Sequence, residues 1–180
     1  VRDAFRALGH DAWSCDLLPT EGDPRWHHQG DALAFAKSRH WDILIAHPPC
    51  TYLCNSGVRW LRDGPCDFNM PRWWKMRDAT RFFLDLWECR MFISGVCMEN
   101  PIPHCYANLP RYSQIVQPWQ FGHGETKATC LWLSELPELK PTNIVEGREG
   151  RVHKMPPGPN RGKERSRTYT GIAAAMAMQW

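Results

Sequence analysis

Apolar residues fall along the chain in two rhythms. Some recur every three or four positions, the spacing of one helical face, and others run almost unbroken, the mark of a strand buried on both sides. Val1, Phe5 and Leu8 keep the helical spacing, and Gly9 supplies a stop. "DAWSCDLLP" reads as a short strand closed by Pro19, and "EGDPRWHHQGD" as a turn. "ALAFAKSRH" returns to helical spacing, with Asp31 as its N-cap. "WDILIA" is apolar at nearly every position and predicts a buried strand. The clearest helix is "PRWWKMRDATRFFLDLWECR". Pro71 suits its first turn, and Trp74, Ala79, Phe82, Phe83, Leu86 and Trp87 form its apolar stripe. "MFISGVCMEN", broken by Pro101, and "KATCLWL" are further strands, and "GIAAAMAMQW" is a closing Ala-rich helix.

Apolar strands alternating with helices predict an α/β domain with a mostly parallel sheet covered by helices on both faces. The chain of 180 residues suits one domain, and no internal repeat is visible. In such sheets ligands bind at the carboxyl ends of the strands. That rule selects Asp16, then "HPPC" at 47–50, then Glu99, Asn100 and Pro101, all on one predicted edge.

Composition narrows the picture. No apolar run approaches eighteen residues, so no membrane span is expected. Eight Cys invite a disulfide framework, but no secretory leader opens the sequence and several Cys sit inside apolar runs. The expectation is a reducing, cytoplasmic setting and a monomer. The net charge of +3 is unevenly spread: residues 146–167 carry seven Lys/Arg against three Glu, while the rest is close to neutral. A basic Pro/Gly-rich segment, 140–168, is therefore attached to a neutral body, and it suits phosphate contact as well as plain solvation. Ten Trp suit a core, and equally a groove that stacks on bases.

The chemistry centres on Cys50. Pro48 and Pro49 remove two backbone donors and stiffen the exit from the strand, fixing where the next thiol points. A rigidly held Cys at a ligand edge is a candidate nucleophile if something takes its proton. Glu99 follows another apolar strand, so its carboxylate is predicted at the same edge. A thiolate adds to carbon 6 of cytosine only when the ring accepts electrons, and protonating ring nitrogen 3 achieves that. Addition then makes carbon 5 nucleophilic toward a methyl sulfonium.

"WDILIAHPPC" followed by "MENP" resembles the cytosine-5 DNA methyltransferases, and among them the short phage-type members. The likeness runs through residues 1–133 in order and more loosely to the terminal helix. It implies a Rossmann-like methyltransferase fold, S-adenosylmethionine as cofactor and DNA as substrate. By position, Cys50 would be the nucleophile and Glu99 the group that holds the cytosine edge, with Asn100 and Pro101 shaping the turn. Asp16 and Asp31 would bind the ribose hydroxyls and the adenine amino group, and Pro48 and Pro49 would border the cofactor. Trp13 and Trp41 are both candidates to stack near the adenine. Lys127 and Thr129 stand where the family carries arginines, and Arg165 and Arg167 in "ERSRT" join them as phosphate contacts. Lys127 acts there as a point charge rather than a fork.

Two departures accompany the likeness. The family opens with a strand and a Gly-rich turn that cradle the cofactor's methionine part. This sequence opens inside the helix that follows them, so the expected fold lacks both. The family's large target-recognition domain is replaced by the basic 140–168 segment, which predicts a short context, a single strand or a free nucleotide as target. A duplex target needs base flipping. Two other classes compete. A non-catalytic nucleic-acid-binding protein would keep the fold without the chemistry. A zinc nucleobase deaminase would need His-x-Glu and Pro-Cys-x-x-Cys, whereas "HGE" and "PCTYLC" occur here in reversed order with the wrong Cys spacing. No four-ligand metal set is recognisable.

Overall fold

The computed structural model describes residues 1–159 and 161–180, and of His153 the backbone alone. In chain order the elements are α1 (Arg2–Ala7), β1 (Ser14–Asp16), β2 (His27–Gln29), α2 (Ala32–Lys37), β3 (Ile43–Ala46), α3 (Asn55–Val58), α4 (Met70–Trp87), β4 (Gly95–Pro101), β5 (Gln114–Val116), β6 (Thr129–Ser134), α5 (Arg151–Lys154), α6 (Arg161–Ser166) and α7 (Thr170–Gln179). They group into two compact units. One holds Val1–Phe35, Val116–Ala128 and Pro137–Trp180, and the other holds Ala36–Ile115 and Thr129–Leu136.

The second unit is built around β3, β4 and β6. A four-stranded sheet runs in the order β3-β4-β6-β5, with β4 parallel to β3 and antiparallel to β6. β3 and β4 are connected through α4, a helix long enough to carry the chain back to the starting edge, as a parallel pair demands. α4 begins where expected. The Asn69 side chain accepts from the Arg72 N–H at 3.0 Å, and Pro71 sits in the first turn. Its buried face carries Met76, Phe83 and Leu86, whereas Trp74 points away and is about half exposed. Phe83 meets Trp132 of β6 edge-on at 4.9 Å, and the Trp132 Nε1 donates to the Pro110 carbonyl at 2.7 Å. These two rings anchor the core beside Val96, Met98 and Leu131, all fully buried.

The first unit has a parallel two-stranded sheet, β1 with β2, in which Asp16 lies opposite Gln29. Its core is made by α1 and α7 through Phe5, Ile172, Ala175 and Met176. The basic 140–168 segment belongs to this unit and carries the short helices α5 and α6.

The expected Rossmann-like, mostly parallel sheet with helices on both faces is not what forms. The strands make two separate sheets, and the larger one is mixed. The reason lies in what burial writes into a sequence. A strand covered on both faces is apolar throughout whichever way its neighbour runs, so "KATCLWL" reads alike parallel or antiparallel. No long helix lies between β4 and β6; the chain turns through short 3₁₀ segments and β5, and β6 returns antiparallel. Two smaller corrections follow. β2 arises inside "EGDPRWHHQGD", which reads as a turn, and Leu8 caps α1 at 53% exposure instead of joining its buried face. Among the described residues, no helix is long and apolar enough to cross a membrane.

Candidate active site

The pairing of β3 with β4 sets the geometry. Ala46 lies beside Met98, so the next residues along each strand fall abreast: His47 by Glu99, and Pro48 by Asn100. Both side-chain contacts form, across 52 residues of sequence. The His47 Nδ1 is 2.6 Å from the Glu99 Oε2, and the Asn100 Nδ2 donates to the Pro48 carbonyl at 2.8 Å. Asn100 is 1% exposed and its Oδ1 is buried without a hydrogen-bond partner. This amide does what the missing proline N–H groups cannot: it ties the end of β3 to the end of β4. The Glu99 side chain is 11% exposed and that of His47 35%, so the carboxyl is the more shielded of the pair.

Cys50 follows directly. Its carbonyl accepts from the N–H groups of Leu53 and Cys54 at 3.0 and 3.1 Å, closing one helical turn that brings the two cysteines to the same side. The Cys54 Sγ is 3.1 Å from the Ser56 hydroxyl. The Cys50 thiol is pushed well above its ordinary value, first by Cys54, then by burial, with the Glu99 charge adding to both. Cys54 is pulled down to about 5, first by the Cys50 thiol beside it and then, against burial, by Ser56. Of the pair, Cys54 therefore ionises first, and Cys50 is the proton donor. Two more thiols sense Glu99 from inside the sheet. Cys97 is pushed up by burial first and the carboxylate second, and Cys130 rises to about 12 for the same reasons.

Pro101 and Thr129 belong to this end of the sheet as well. They pair across β4 and β6, and Thr129 is 4% exposed, packed inward rather than presented to a ligand. Behind the cysteine turn, Arg72 of α4 donates to the carbonyls of Gly57 and Thr51 at 3.3 and 3.4 Å. A Cβ on Gly57 would collide with the Thr51 carbonyl, so the turn admits only glycine there.

The remaining expected residues, Trp41 apart, lie in the first unit. Asp16 ends β1, and its Oδ1 accepts from the Leu18 N–H at 2.9 Å. Asp31 follows β2, and its Oδ1 accepts from the Ala34 N–H at 2.7 Å, the cap expected for α2. Both carboxylates bear on the Cys15 thiol, which burial raises first and these two charges raise further. They thus share the carboxyl end of one small parallel sheet, and a pair of exposed acceptors there suits the hydroxyl and amino groups of a nucleoside. Trp13 packs edge-on against Trp26 at 5.5 Å, and His28 stacks flat on Phe35 at 4.4 Å. Trp41, in the second unit, lies under the Arg39 guanidinium at 3.9 Å.

Lys127, Arg165 and Arg167 come together, as their charge suggests they could. They line a cavity of about 260 Å³ with His123, Glu125, Arg151 and Tyr169. Arg167 is 3.0 Å from Glu21, and the Lys127 Nζ donates to the Arg167 carbonyl at 3.1 Å. Among the described residues, no three His, Cys, Asp or Glu side chains converge as metal ligands.

His47 and Cys54 are the participants that sequence reading left out of the chemistry. A signal for His47 existed, since the residue before Pro-Pro-Cys and the Glu of Glu-Asn fall abreast once the two strands are paired in parallel. Cys54 carried only its spacing of four from Cys50. No known family model matches the chain, and no curated protein matches it either.

Proposed function

We propose that the protein transfers a methyl group from S-adenosylmethionine to carbon 5 of cytosine in DNA, through a covalent bond between Cys50 and carbon 6. The observation that carries this reading is the abreast pairing of the β3 and β4 ends, which sets a shielded carboxyl beside a cysteine turn pinned by Asn100.

Each residue has a defined task. Cys50 loses its thiol proton to water as its sulfur bonds to carbon 6. Glu99 delivers a proton to ring nitrogen 3 and accepts from the exocyclic amino group, so the π pair of the ring moves toward carbon 5. Asn100 keeps Pro48, and with it the thiol turn, in register. S-adenosylmethionine supplies the electrophilic methyl, and Asp16 and Asp31 are the residues that would hold its ribose and adenine. Lys127, Arg165 and Arg167 would hold phosphates. Eight free thiols suit a reducing cytoplasm.

The test is a DNA duplex carrying 5-fluorocytosine, incubated with S-adenosylmethionine and followed by intact mass spectrometry. Fluorine blocks the final elimination, so a working enzyme stays bonded to the DNA. An adduct that vanishes in Cys50→Ala is expected. Its absence from the wild-type protein despite measured DNA binding, or its survival in Cys50→Ala, overturns the reading. The first of these outcomes leaves a nucleic-acid-binding protein without chemistry.

A further inference from the structure

Glu99 has a task that a carboxyl performs poorly by itself. To protonate a ring nitrogen it must hold a proton, yet a carboxyl of ordinary acidity is almost wholly ionised at neutral pH. Its side chain is also only 11% exposed, which slows reloading from water. His47 answers both difficulties by position. Its Nδ1 is 2.6 Å from the Glu99 Oε2, within direct proton-transfer distance. Its side chain is 35% exposed, well above that of Glu99, so the ring is the more open of the two to water. Imidazole is also the side chain whose ordinary titration falls near neutrality.

We infer that His47 is a positioning residue that relays protons between solvent and Glu99, keeping the carboxyl charged with the proton it gives to cytosine. The inference rests on the covalent reading above. The step balances. As the Cys50 sulfur bonds to carbon 6, the carbon 5–carbon 6 π pair shifts to the ring. One proton moves from Glu99 to nitrogen 3, and another moves from the His47 Nδ1 to the Glu99 Oε2. When the Cys50–carbon 6 bond breaks, both protons return and the imidazolium is restored. No oxidant or reductant enters.

Other titratable and charged groups face this pair from each neighbouring element. Cys50 and Cys54 lie on the turn after β3, Cys97 is on β4 itself and Cys130 on β6. Arg72 of α4 is committed to the carbonyls of Thr51 and Gly57. His104, whose N–H donates to the Leu53 carbonyl, turns its ring nitrogen to the Tyr106 N–H. His47 is hydrogen-bonded to the carboxyl through its imidazole.

A purely structural role competes, in which the contact only fastens two strand ends. The two roles separate in an experiment that needs no cofactor. Covalent addition followed by its reversal lets carbon 5 of cytosine exchange its hydrogen with solvent. A cytosine-containing duplex is therefore incubated with the protein in deuterated water, with and without added free imidazole, and deuterium at carbon 5 is read by mass spectrometry. Wild-type exchange is expected to be indifferent to the added imidazole. His47→Asn keeps an N–H for Glu99 but cannot relay a proton. Its exchange should be slower by about 10²-fold and should be partly restored by imidazole, with DNA binding unchanged. His47→Gln serves as a second variant should the first fail to fold. If both follow the wild-type profile within twofold, the relay is refuted while the covalent reading stands. If the wild-type protein gives no exchange, or exchange survives Cys50→Ala, the covalent reading falls and the relay with it.

Discussion

At Cys54 the residue scale gives its least expected result. Of two thiols one helical turn apart, the one placed to attack is the weaker acid. A thiol raised this far is scarcely ionised at neutral pH, so its proton must leave as it attacks. One thiolate is expected to titrate near pH 5 by its ultraviolet absorbance. Cys54→Ser should abolish this titration, and Cys50→Ala should shift it upward, since the Cys50 thiol is the leading cause of the depression. A Cys50→Ala protein whose low titration is unmoved would refute the linkage. Sequence made Cys50 readable because two prolines advertise a fixed turn. Cys54 was not readable, since its acidity depends on what packs against its sulfur, and spacing does not reveal that.

Elements were legible where propensity and burial agree. α4 starts at the expected cap and proline, and α7 is the expected Ala-rich helix. Trp74 misleads because it lies two positions, about 200° of helix, from Met76, whose side is the buried one. β2 and β5 span only three residues each, too short for any period to show. The direction of β6 was illegible for the reason given by its two covered faces. α7 also carries a close approach that no pattern discloses. A Cβ on Gly171 would collide with the Phe121 carbonyl oxygen, which is backbone and cannot rotate away. Gly171→Ala should therefore cost about 1–3 kcal/mol by overpacking, read as a lower urea midpoint at unchanged slope. Gly162→Ala in α6 meets nothing within 4 Å and should be neutral or slightly stabilising. Equal midpoints for the two variants would refute the assignment.

At the scale of the whole molecule, each unit carries one consequential feature. In the first, burial pushes Glu125 up, but Arg151 at 3.0 Å and the Tyr169 hydroxyl at 2.7 Å more than reverse it, and its pKa ends below the ordinary value. A carboxyl depressed in the folded state contributes stability that is complete above its unfolded pKa and is lost as pH falls through the folded one. The thermal midpoint should thus decline below about pH 5, and Glu125→Gln should flatten that decline. A variant that declines as steeply as the wild type would show that other carboxyls govern acid unfolding. In the second unit, the register of β3 on β4 has a consequence for the newborn chain. His47 and Glu99 are 52 residues apart and meet only through that register, a distant pairing that folding completes late. Until the two strands zip, the polypeptide carries eight ordinary thiols and an unremarkable glutamate. On the proposed chemistry, reactivity would be the last property the chain acquires, and a half-made molecule in a crowded cell would be harmless.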